Sequence, residues 1–211
     1  MEKKQHHVTS VKRPKSNEAL NDYLPFRAVQ FLLYDLSQVY LARKVLGRVK
    51  GAGLDPHEKP LDFLSLCFRA LNTDMWIRVV RVLEQNPQKV ASFWYIYDWE
   101  QKFIEEQLRK RRVDVRDIAR LSDRVKRVRD KSFVHIDKKH VLTRQALYSD
   151  ASITLNEAEH ILDALWFVLN ELFRAYAGID FPLELETAQV QIVRQLEDLM
   201  PMPDPRPRQA G

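Results

Sequence analysis

The chain has 211 residues, 45% hydrophobic and 30% charged, with a formal net charge of +5, a balance suited to a globular domain with a buried core rather than a fibrous or wholly unstructured chain. Five glycines argue against turn-rich β structure, and a single cysteine, Cys67, excludes an internal disulfide framework. No apolar run reaches the ~18 residues that a bilayer-spanning helix needs, and the charged N-terminal stretch leads into no hydrophobic region, so neither membrane contact nor a secretory signal is expected and the expected location is the cytoplasm.

Residues 1–17 are polar and basic and read as a disordered arm. A first helix is predicted from about residue 17 or 18 to 49, with Leu24, Ala28, Leu32, Leu36, Val39, Ala42 and Leu46 at the three- and four-residue steps of one face. Pro25 marks either its start or a kink. After the loop punctuated by Gly51, Gly53, Pro56 and Pro60, a second helix is predicted over about 60–85 on Leu64, Phe68, Leu71, Met75, Val79 and Val82. Cys67 lies in its apolar run and is expected to be a reduced core residue. Asn86-Pro87 reads as the start of a third helix to about Arg112, with Val90, Trp94, Tyr97, Ile104 and Leu108 inward. Its run Phe93-Trp94-Tyr95-Ile96-Tyr97-Asp98-Trp99 places aromatics all round the helix: one side is core, the other an interface or a base-stacking platform.

A fourth helix over about 114–132 turns Ile118, Leu121, Val125 and Val128 inward. Thr154-Leu155-Asn156-Glu157 has the form of a capping box, opening a helix on Ala158, Leu162, Leu165, Leu169, Leu172 and Tyr176 that Gly178 closes. A shorter helix is expected over about 184–199, and 200–211 forms a proline-rich tail. No strand pattern of useful length occurs, so the expected fold is an all-α bundle of five to six helices over residues 18–199.

Charge is concentrated in the fourth helix. Residues 109–131 hold eleven Lys/Arg against four Asp, a net of +7, which leaves the rest of the chain slightly acidic. Such a strip is the footprint of a polyanion partner or, equally, a solvated face laced with ion pairs. Arg116, Arg120, Arg124, Arg127 and Lys131 are the candidate RNA-contacting residues. The strip ends in Arg129-Asp130-Lys131-Ser132-Phe133-Val134-His135-Ile136-Asp137. A guanidinium fork matches phosphate oxygens, and an imidazole with a pKa of about 6.5 both takes and gives protons near neutrality. Asp137 stands where it can hydrogen-bond His135 and fix its tautomer. His135, Asp137 and His140 do not complete a tetrahedral metal site, and no phosphate loop, dinucleotide fingerprint or nucleophile elbow occurs, so no metal or cofactor is expected.

The spacing Arg129-Asp130-four residues-His135, in a helical chain of this length, resembles the signature of the HEPN superfamily, and the run RDKSFVHID looks most like its abortive-infection AbiU-type branch. The resemblance covers about residues 18–199. It implies a metal-independent endoribonuclease, a toxin or phage-defence effector, working at a composite site in a homodimer. Arg129 would hold the scissile phosphate, His135 would move protons, and Asp130 would orient the motif. It also implies RNA as substrate and a possible cognate antitoxin. Asp137 occupies the position where related toxins usually carry a tyrosine for silencing by nucleotidyl transfer, a departure that puts such silencing in doubt. The same resemblance covers a catalytically silent domain that scaffolds an RNA- or nucleotide-binding defence complex.

Overall fold

The computed structural model describes residues 17–51, 63–130 and 152–182, together with Gln191. Expectations for the N-terminal arm, the loop after the basic helix, the 184–199 helix and the proline-rich tail lie outside those residues. The described residues hold six α-helices and no strand: α1 (Asn17–Asn21), α2 (Leu24–Gly51), α3 (Phe63–Leu83), α4 (Phe93–Lys110), α5 (Val115–Arg129) and α6 (Leu155–Ala177). The fold is all-α, as the periodicity predicts.

The chain divides into two compact units, one of residues 1–36 with 78–181 and one of 37–77 with 182–211. In the second unit Val45 of α2 and Phe68 of α3 are buried together, with Leu41, Leu46 and Leu71 packed against them. Cys67 is exposed, contrary to the buried position expected for it. Its neighbour Phe68 takes the inward place, because adjacent helical positions lie about 100° apart.

In the first unit α6 packs against α1, α4 and α5. Its inward residues Ala158, Leu162, Leu165, Leu169, Leu172 and Tyr176 are all buried, and so are Ile118, Leu121, Val125 and Val128 of α5. Asp114 caps α5 through a reciprocal box: its carboxylate accepts from the Arg116 amide at 2.8 Å, and its own amide donates to Asp117 at 3.1 Å. Only half of the box expected at α6 forms. The Thr154 hydroxyl accepts from the Glu157 amide at 3.3 Å, while the Glu157 carboxylate accepts from Arg124 of α5. Gly178 closes α6 at φ 74°, a left-handed conformation that glycine adopts without a Cβ penalty.

Two expected elements are corrected. The first helix is two: the chain breaks at Asp22-Tyr23, and Pro25 falls in the first turn of α2, where its missing N–H is no loss. At this new start Leu24 is 69% exposed rather than inward. The third helix begins at Phe93 with Ser92 as its N-cap position, not at Pro87. The Asn86 carbonyl accepts from both Lys89 and Val90 at 3.1 Å, closing a separate turn before the helix. Inside α4, Glu100 leaves the helical region (φ −126°, ψ 33°). The inward set is Phe93, Ile96, Glu100, Phe103, Ile104, Gln107 and Leu108, with Trp94 and Tyr97 at the margin.

Glu100 is buried, and Tyr176 of α6 donates its phenolic O–H to it at 2.9 Å. Burial, then the Glu100 charge, pushes the Tyr176 phenol far above the usual range, so the hydroxyl remains a donor. The Tyr23 ring packs edge-on to Tyr176 at 5.6 Å and to Trp99 at 6.3 Å, which covers the kink.

Candidate functional site

Arg129 occupies the last turn of α5, where a cation also complements the helix dipole. Val125 and Val128 anchor this turn in the core, which fixes where the arginine leaves the helix. Its side chain is 26% exposed and is held on two sides. Nε donates to Asp130 at 2.8 Å, and Nη1 donates to Glu84, just beyond the end of α3. Among the described residues Nη2 has no acceptor. Burial acts to lower the Arg129 pKa, but the Asp130 and Glu84 carboxylates outweigh it and raise it above the ordinary value. The guanidinium is thus a fixed cation with one edge open among the described residues.

A shallow groove includes this ion pair in its lining, Glu84 and Arg129 together with Leu83, Ser122, Val125 and Lys126. Ser122 is buried and shared: it donates to the Ile118 carbonyl at 2.9 Å and accepts from the Trp94 indole at 3.2 Å. Trp94 is thereby anchored to α5. Further along the aromatic run, Tyr97 donates to Glu105 at 2.6 Å. Burial and this bond push its phenol up to about 12. Phe93 and Ile96 are buried, and Trp99 is half exposed.

The cations of the basic strip fall into two groups. Arg116 pairs twice with Asp114, each bond 3.0 Å, and these contacts hold the Asp114 carboxyl down at about 2. Arg120 pairs with Asp117. Arg124 is 17% exposed and ties α5 to the start of α6, donating to the Ser152 carbonyl at 2.8 Å and to Glu157. The first three predicted RNA contacts are therefore engaged within the chain. Arg127 and its neighbour Lys126 are exposed, and among the described residues neither has a carboxylate partner. The open positive charge gathers at the last turn of α5, beside Arg129, rather than along the whole helix.

The structure thus brings Arg129 and Asp130 together. Lys131, His135 and Asp137 lie outside the described residues. Two contributors have no place in the motif. Lys126 lies three residues before Arg129, the spacing of helical neighbours, and was legible as such. Glu84 lies 45 residues away in sequence, and no spacing rule points to it. No family model matches the chain, and no match is found among curated proteins or solved structures.

Proposed function

We propose that this chain is a metal-independent endoribonuclease of the HEPN type, a toxin or abortive-infection effector that cleaves RNA at a site completed by a second copy of the chain. The observation that supports the reading best is the state of Arg129. Two carboxylates hold its guanidinium while its Nη2 edge has no acceptor among the described residues, and the cation of Lys126 lines the same groove. A preorganised donor of this kind stabilises charge that develops on a phosphate without reorganising at the moment of reaction. The Asp130 contact accords with an orienting role for that residue.

In the reaction, the ribose 2′-oxygen attacks phosphorus and the bond to the 5′-oxygen breaks. The 2′-hydroxyl proton leaves to one His135 imidazole, and the 5′-oxygen gains a proton from the other. The products are a 2′,3′-cyclic phosphate and a 5′-hydroxyl end. One imidazole cannot be base and acid at once, and a two-fold dimer supplies both from one gene.

The test is a pair of variants. His135→Ala should lose about 10²–10⁴-fold in cleavage rate while RNA binding persists. Arg129→Gln should lose both cleavage and part of the affinity. A folded His135→Ala protein that cleaves within a factor of two of wild type rejects the reading. A second reading, a silent scaffold, is favoured by the engagement of two sides of Arg129 by the chain's own carboxylates. It requires that the biological effect survive His135→Ala.

A further inference from the structure

The exposed face of α2 in the first unit carries a feature that the motif does not use. Phe31 and Tyr34, one turn apart, are 46% and 49% exposed. A guanidinium lies over each ring: Arg81 at 5.1 Å from the Phe31 centroid and Arg78 at 5.8 Å from that of Tyr34. Both arginines come from α3 and converge on Asp35, which is fully buried. Arg78 bonds it at 2.9 Å, and Arg81 bonds it through Nε at 3.0 Å and through a second nitrogen. Both arginines keep partly exposed side chains. An ordinary surface arginine moves freely. These two are locked over their rings by a carboxylate that water does not reach.

The same row continues toward Arg129. Arg78, Arg81 and Glu84 follow at three-residue intervals along and just beyond α3, and Glu84 is the residue that holds Arg129. At a helical rise of about 1.5 Å per residue, Arg78 and Glu84 are roughly 9 Å apart along the axis. Exposed rings stacked with guanidinium groups, repeating at one-turn spacing and leading to a phosphate-binding arginine, match what an unpaired strand offers: flat bases on an anionic backbone.

We propose that Phe31 and Tyr34, with Arg81 and Arg78 fixed over them by Asp35, form a stacking ledge for unpaired bases of single-stranded RNA leading to the Arg129 site. The inference rests on RNA being the substrate. It assigns the substrate class: single-stranded segments rather than duplex, whose bases are already stacked and present no free faces.

The experiment uses the full chain and measures fluorescence anisotropy of a labelled short oligouridine, against a self-complementary RNA hairpin as the duplex probe. Phe31→Ala and Tyr34→Ala should each weaken oligouridine binding by about 5- to 150-fold, with little change for the duplex. Phe31→Leu keeps apolar area but removes the π face, so it should bind like Phe31→Ala. Because both rings are half exposed, circular dichroism should report an unchanged helical fold. The proposal is overturned if oligouridine affinity survives the double variant Phe31→Ala/Tyr34→Ala. It is also overturned if Phe31→Leu restores binding, or if the double variant dissociates a dimer without altering RNA affinity. Failure of the nuclease reading is distinguishable: a wild-type protein that binds oligouridine through these rings but does not cut it keeps the ledge and loses the enzyme.

Discussion

A buried carboxylate is tolerated only when donors replace the water it has lost. Glu100 meets that condition through the Tyr176 phenol, 76 positions away in sequence. Replacing Tyr176 with Phe keeps the ring packing against Tyr23 and Phe26 and removes the hydroxyl that donates to Glu100. The variant should lose about 1–3 kcal/mol of stability in urea denaturation. A variant as stable as wild type would show that the bond contributes nothing net. The same residue-scale logic explains which part of the site was readable from the sequence. Arg129 and Asp130 are adjacent and stood out by their spacing to His135. Glu84 did not, because an ion pair between separate helices leaves no periodic trace. Cys67 shows the opposite error: an apolar neighbourhood in sequence suggested burial, but its own angular position decided its exposure.

The inward faces of α5 and α6 were legible because their apolar residues keep one unbroken stripe, and the Gly178 stop of α6 was legible as well. The third predicted helix was not. The inward face of α4 runs through Phe93, Ile96, Glu100, Phe103 and Gln107, one position round the helix from Trp94 and Tyr97, and two of its members are polar residues that an apolar period passes over. The aromatic run concealed this, since large rings on every side fit any register. Charge was misleading in a similar way: spacing shows that arginines share a face but not that Asp114, Asp117 and Glu157 already engage them. The distinction predicts an element-scale outcome. Replacing Lys126 and Arg127 with Gln should flatten the salt dependence of single-stranded RNA binding, by roughly 0.7 in log–log slope for each phosphate that is no longer neutralised. Replacing Arg116 and Arg120, whose cations are paired, should change the slope much less. Equal effects from the two double replacements would mean that the internal ion pairs open to RNA at no cost.

At the scale of the whole molecule, an all-α fold carries a cationic end of one helix, at which the Arg-to-His motif begins. The fold itself was readable from low glycine content and helical periodicity. No helix among the described residues is long and apolar enough to cross a membrane. The proposed reaction rests on chemistry alone: an arginine suited to holding a phosphate and a histidine suited to moving protons, with a second copy invoked to supply both base and acid. The central claim is therefore a claim about cleavage without a metal, and it is tested most directly by incubating the purified full-length protein with single-stranded RNA in excess EDTA and analysing the ends of the products. Cleavage that persists in EDTA and leaves 2′,3′-cyclic phosphate and 5′-hydroxyl ends is the predicted result. Intact RNA, or fragments bearing 5′-phosphate ends, would contradict it.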